Sequence, residues 1–263
     1  MTSPASAAAP PPFTSEFLYW ISLDFASSEP ADLARFHRFY NETHVPEVLA
    51  RYPGFRAAHR YVLQLPDPRG DFGGSYLAAY EVEDEQAVEK YIAGTTAPGG
   101  TKPPYSDDPP LWPDLLTHRW RVVYEKVSET GPSTGNPGSI YIIGIEPPED
   151  VGDELAEFDD FYTNVHLPEA VEVGGFSRGS RYTLRRELEH PAPGCPRFLA
   201  VYEQPDASDE GVRATLNTLI ESDRWTPGPA SWTRKTTPWR LWYRHISVIP
   251  RTTAPTGATV RQP

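Results

Sequence analysis

The chain has 263 residues, 38% hydrophobic and 12% aromatic, enough apolar mass to bury a core, which excludes a disordered protein. Thirty-six acidic against 24 basic residues leave a net charge of −12, which argues against nucleic acid and anionic membrane surfaces as partners. Thirty prolines and 19 glycines rule out long uninterrupted helices, and no apolar run reaches the ~18 residues of a membrane span. Cys195 is the single cysteine, so no intramolecular disulfide and no C-x-x-C metal or redox pair can form, which fits a reducing cytoplasm.

Residues 1–15 begin MTSPASAAAPPP, without Lys or Arg, and read as a disordered tail. Residues 17–24 alternate as a strand. Ser28, Glu29 and Pro30 then supply a helix start, with Leu33, Phe36, Tyr40 and His44 on one face and an expected stop near Pro46. Residues 55–65 and 76–82 alternate again across a loop rich in Pro, Gly and Asp, which predicts a hairpin. A short helix over 84–93, a proline-rich excursion over 94–113 and a strand over 118–127 complete the order βαββαβ. Residues 128–138, SETGPSTGNPG, have linker composition. The same order follows over 139–146, 151–171, 176–187, 197–204, 206–222 and 237–247, and 250–263 reads as a second disordered tail.

The chain also repeats itself. F-Y-N-E-T-H-V-P-E at 39–47 returns as F-Y-T-N-V-H-L-P-E at 161–169, identical at five of nine positions. Gly54-Phe55 then matches Gly175-Phe176, Arg60-Tyr61 matches Arg181-Tyr182, and Leu77-Ala78 matches Leu199-Ala200. Tyr80-Glu81 matches Tyr202-Glu203 and Trp120-Arg121 matches Trp239-Arg240, with all offsets between 119 and 122. A duplicated unit explains this, which predicts two repeats, 16–127 and 139–249. Each βαββαβ unit puts both helices on one face of a four-stranded antiparallel sheet and leaves the other face uncovered. The predicted fold is therefore α+β: two tandem ferredoxin-like units packed sheet to sheet into one barrel, so that a monomer suffices to close it, with a cavity between sheet and helix or between the sheets.

The pattern F-Y-x-x-x-H-x-P-E, then G-F, R-Y and L-A-x-Y-E, resembles the EthD-like branch of the dimeric α/β barrel superfamily, here as a fused form covering most of the chain. The resemblance implies a pocket for a hydrophobic oxygenated small molecule, with reactions in the wider superfamily ranging over decarboxylases, cyclases, isomerases and cofactor-free monooxygenases, beside haem-binding relatives. Haem held through a histidine is a minority reading, since the sequence carries no attachment motif for it, and the main reading is cofactor-free.

Tyr40 and His44 are four residues apart, as are Tyr162 and His166, so each pair shares a helical face and could move a proton to or from an enolisable substrate. The alternative is a histidine donating to a carbonyl at the helix end beside a packed tyrosine. Asn41, Glu42 and His59 differ between the repeats, and His59 and Glu42 make the first repeat the favoured site. Arg60 and Arg181 could orient a substrate carboxylate, although ion pairs with Glu81 and Glu203 are the preferred reading. Trp112 and Trp232, with Trp225, sit in proline-rich stretches that could cover a flat ligand or anchor the loops. His44-x-x-Glu47 and His166-x-x-Glu169 carry little for a metal, because proline between the two should break the helix. The reading is a cofactor-independent lyase or isomerase, for decarboxylation, dehydration, cyclisation or isomerisation of an aromatic or polyketide-like compound, as in aromatic catabolism or secondary metabolism. A cofactor-free monooxygenase and a non-catalytic or haem-binding small-molecule protein are the alternatives.

Overall fold

The structure, a computed structural model, describes residues 11–96, 115–133, 135, 137–189 and 194–252. The first half runs β1 (Phe17–Phe25), α1 (Pro30–Phe39), a π-turn (Tyr40–His44), α2 (Val45–Arg51), β2 (Phe55–Leu65), β3 (Tyr76–Val82), α3 (Glu85–Thr96) and β4 (Leu116–Thr130). The second half runs β5 (Ser139–Glu146), a 3-10 turn (Gly152–Glu154), α4 (Leu155–Phe161), a π-turn (Tyr162–His166), α5 (Leu167–Gly174), β6 (Arg178–Glu189), β7 (Phe198–Gln204), α6 (Asp209–Glu221), α7 (Ala230–Thr233) and β8 (Thr236–Pro250).

Eight antiparallel strands close into a barrel in the order β1-β3-β2-β8-β5-β7-β6-β4. Each half contributes four neighbours in the ferredoxin-like order, β4-β1-β3-β2 and β8-β5-β7-β6. The halves join where β2 pairs with β8 and β4 with β6, so each sheet's edges are taken up by the other. Closure sorts the side chains by their period of two. Leu18, Trp20, Trp120, Ile140, Ile142, Trp239 and Leu241 pack together inside the barrel. Phe17, Tyr19, Ile21 and Tyr80 face the helices of the first half, and Tyr141, Ile145, Tyr202 and Trp242 those of the second.

Three local expectations change. The helix does not stop at Pro46: the π-turn shifts the backbone bonds so that Val45 N–H reaches Tyr40 O, and α2 continues with the proline in its first turn, where its missing N–H costs nothing. Pro168 repeats this in the second half, with Leu167 N–H on Tyr162 O. The linker begins later than Ser128, because Ser128, Glu129 and Thr130 still pair with Arg181, Ser180 and Gly179 of β6. Residues 11–15 are no loose tail: the N–H groups of Phe13 and Ser15 donate to Glu81, at 2.5 and 2.7 Å, and the Phe13 ring is buried against Trp20 and Tyr61 inside the barrel.

Helix ends explain the repeated Gly-Phe. Gly54 and Gly175 follow α2 and α5 with φ of 94° and 65°, a left-handed conformation that side chains resist. A Cβ on Gly54 would also lie 2.4 Å from that of Ala87.

Candidate functional site

Arg60 and Arg181 stand on the helix-facing side of β2 and β6 and are spoken for by the π-turns. Arg60 Nη1 donates to Asn41 Oδ1 at 2.6 Å, and its guanidinium lies 4.5 Å from the Tyr40 ring centre. Arg181 pairs with Asp159 Oδ1 at 2.7 Å, donates to the Asp159 carbonyl and to Thr163 Oγ1, and lies 3.9 Å from the Tyr162 ring. The expected ion pairs with Glu81 and Glu203 do not form. Arg60 is opposite Ala78 and Arg181 opposite Ala200, so the glutamates, three residues on, point to the other face of the sheet. Glu81 receives the residue 13–15 amides and Glu203 faces Arg178, 3.5 Å away.

The sequence candidates therefore divide. Tyr40 and Tyr162 are buried under their arginines, and burial raises both phenols, Tyr40 to about 12. His44 packs with its ring centre 4.7 Å from that of Tyr40. His59 lies on the opposite face of β2 from Arg60, inside the barrel, where its ring centre is 6.2 Å from that of His245 and burial lowers its pKa to about 3. Trp112 lies outside the described residues.

A cavity of about 520 Å³ opens in the second half, between the outer face of the sheet and α5 and α6. Its floor is Tyr141, Ile143 and Ile145 of β5, Tyr202 of β7 and Trp242 of β8; its roof is His166, Ala170, Leu216 and Leu219. Leu65, Pro66 and Pro68 from the first half close one side, so both halves build it. The bend between those prolines is fixed by Asp67, which holds Arg69 Nε and Nη2 at 2.8 and 2.5 Å and accepts the Arg69 backbone N–H at 3.0 Å.

His166, the last residue of its π-turn, reaches this cavity and is the one sequence-predicted histidine that does. Its ring packs 4.5 Å from Trp232 and 5.3 Å from Trp225, of which Trp225 also lines the cavity. Burial, with Lys235 and Arg181 nearby, pulls its pKa down to about 3, so the imidazole is neutral near pH 7. Lys235 is half-buried, its ammonium 3.9 Å from the Trp232 ring centre, and burial and Arg240 lower its pKa. Among the described residues the lining contains two cations, Lys235 and Arg240, and no carboxylate. Trp232 anchors the loop through Phe158, Phe161, Tyr162 and His166 and does not itself line the cavity.

The first half, favoured from sequence, is filled at the corresponding place. Tyr91 Oη lies 2.5 Å from Tyr19 Oη, and Arg121 donates to both hydroxyls at 2.8 and 2.9 Å. Sequence reasoning missed Tyr141, Lys235 and Arg240. Arg240 was visible as the second half of a repeated Trp-Arg, but its importance depends on a side chain that the second half lacks.

No protein-family model matches the chain, and no curated protein sequence matches it. Among solved structures, a mutant chlorite dismutase from Candidatus Nitrospira defluvii is 9% identical over 88% of this chain and 91% of its own, with a TM-score of 0.51. An anthrone oxidase-like protein is 12% identical over 90% of this chain and 94% of its own, with a TM-score of 0.49. At such identities the likeness is one of fold. The fold is the dimeric α/β barrel, closed here within one chain.

Proposed function

We propose that the chain is a small-molecule enzyme of the EthD-like type, that its reaction takes place in the second-half cavity, and that His166 accepts the proton without a bound cofactor. The observation that carries this reading is a buried imidazole on the wall of a cavity whose floor and roof are mostly apolar and whose charged lining groups, Lys235 and Arg240, are both cationic. Burial disfavours an isolated imidazolium, but a substrate that loses a proton to His166 leaves its own anion beside the new cation, and the pair offset each other. The chemistry supported is proton removal from an enolisable aromatic or polyketide-like compound and its return elsewhere, a lyase or isomerase step. Tyr162, enclosed under Arg181, takes no part. The described lining offers a haem iron one imidazole, already packed against two indoles, and no step runs through haem.

The test is hydrogen–deuterium exchange into a panel of aromatic carbon acids in D2O, followed by mass spectrometry. Wild-type protein should catalyse exchange on at least one of them, and His166→Asn should slow it by about a hundredfold or more. Exchange lost in His44→Asn instead would move the reaction to the first half. Dioxygen uptake with these compounds, or a Soret band in the purified protein, would overturn the cofactor-free lyase or isomerase reading.

A further inference from the structure

The two halves can be superposed by their own registers. Asp84 Oδ1 accepts the Ala87 N–H at 2.8 Å at the start of α3, and Ser208 Oγ accepts the Gly211 N–H at 3.0 Å at the start of α6. Counting from these caps, Tyr91 in α3 corresponds to Thr215 in α6. In the sheet, Ile21 is opposite Arg121 and Ile143 opposite Arg240, which makes Tyr19 the counterpart of Tyr141 and Arg121 that of Arg240. Phe55 corresponds to Phe176 through the repeated Gly-Phe.

In the first half, the Tyr91 ring lies 4.5 Å from the Tyr19 ring and 5.3 Å from Phe55, and its hydroxyl oxygen sits on Arg121 and Tyr19. In the second half the threonine brings no ring toward Tyr141: its Oγ1 accepts from Nε2 of Gln204, at the end of β7, at 2.8 Å, and it does not line the cavity. Trp242 covers one side of this place, its ring 4.7 Å from Tyr141 and 6.0 Å from Phe176, and the cavity beside it leaves space for an aromatic ring, with Arg240 and the Tyr141 hydroxyl engaged by no hydrogen bond from a described side chain. Lys235 adds a second positive charge, and Asp67, the acid near Tyr141, is paired with Arg69.

We infer that the cavity binds a planar aromatic molecule bearing an anionic oxygen group, a carboxylate or a phenolate, whose ring takes the place that Tyr91 takes in the first half and whose oxygens rest on Arg240 and Tyr141. Lys235 supplies the charge that favours the anion over a neutral alcohol. This substrate class rests on reading the cavity as the reaction site.

Quenching of tryptophan fluorescence, with Trp225 and Trp242 in the lining, reads the binding. The probes are 2-naphthoate, 2-naphthol and the neutral 2-naphthalenemethanol. Wild-type protein should bind 2-naphthoate about 10- to 100-fold more tightly than 2-naphthalenemethanol, the range expected for hydrogen bonds to a charged group. Arg240→Gln should remove that preference while leaving the alcohol's affinity unchanged. Thr215→Tyr should fill the space and abolish binding of all three; where that variant does not fold, judged by circular dichroism, Arg240→Gln decides alone. Tighter binding of 2-naphthol than of 2-naphthoate, lost in Arg240→Gln and accompanied by the red-shifted absorption of the naphtholate, supports the inference with a phenolate as the oxygen source; the same preference without that shift overturns the anion. Equal affinity for 2-naphthoate and 2-naphthalenemethanol overturns the anion and leaves the cavity as a site. Binding of none of the probes overturns the inference with the cavity. Tight, Arg240-dependent binding without any His166-dependent exchange sinks the catalytic reading and spares the ligand class.

Discussion

Glu203 points into the barrel at 1% exposure, and its nearest cation is the Arg178 guanidinium at 3.5 Å. Burial first, and then Glu81 against the pull of Arg178, raises its carboxyl from 4.5 to about 7. A raised acid keeps its proton in the folded chain after the unfolded chain has released it. The resulting stabilisation is complete below pH 4.5 and is lost as pH rises to about 7. His59 and His166, lowered from 6.5 to about 3, work in the other direction: their contribution is complete above pH 6.5 and is lost toward pH 3. The two effects overlap between pH 4.5 and 6.5, so a comparison of variants separates them where a single profile cannot. Glu203→Gln should gain stability over wild type as pH is raised from 4.5 to 8, by on the order of 3 kcal/mol at the upper end. Urea unfolding at several pH values measures this, and parallel profiles for the two proteins would refute it.

At the scale of elements, the π-turn is the device that joins the repeated motif to the sheet. It carries the helix past Pro46 and Pro168 and sets His44 and His166 at its end, while a buried arginine fastens it from the neighbouring strand. The arginines were legible in the sequence, but their partners were not. Glu81 and Glu203 were near them in register yet on the wrong face, whereas Asn41, Asp159 and Thr163 came from a helix whose rotation the π-turn alters. Arg181→Met removes the partner of Asp159 and the cation over Tyr162, and should lower stability by about 2–4 kcal/mol. A smaller effect than about 0.5 kcal/mol would mean that the turn holds without its clasp. The strands were read within a few residues because alternation reports burial directly. The cavity could not be read this way. At the helix position of Tyr91 the second half has Thr215, which brings no ring to the sheet, a difference hidden by a two-residue slip between the strand offset of 122 and the helix offset of 124. An absent ring leaves no motif.

That comparison also makes a prediction for the first half. Tyr91→Thr removes a buried ring from Tyr19, Tyr52 and Phe55, leaves Arg121 one phenol short, and should cost about 3–5 kcal/mol. The variant should also acquire a second naphthoate site, which a binding stoichiometry near two per chain would reveal. Stoichiometry unchanged in a folded variant would show that neighbouring side chains collapse into the space.

Taken as a whole, the molecule is two four-stranded sheets that share every edge, and its interior belongs to neither half. Trp120 of β4 and Trp239 of β8 stack 4.8 Å apart inside the barrel, each almost completely buried. Around them Leu18, Trp20 and Leu77 of the first half pack with Ile140, Leu199 and Leu241 of the second. A half separated from its partner would expose this apolar face and the unpaired edges of β2 and β4, or of β6 and β8. The chain should therefore unfold in one cooperative transition, with far-ultraviolet dichroism and tryptophan fluorescence falling together along a urea titration. Trp120→Ala should cost about 3–5 kcal/mol and shift that one transition. In hydrogen exchange, amides of β5 and β7, which lie wholly in the other half, should lose protection as much as those of β1 and β3. Two separated transitions, or protection lost in the first half alone, would show that the shared interior does not couple the halves.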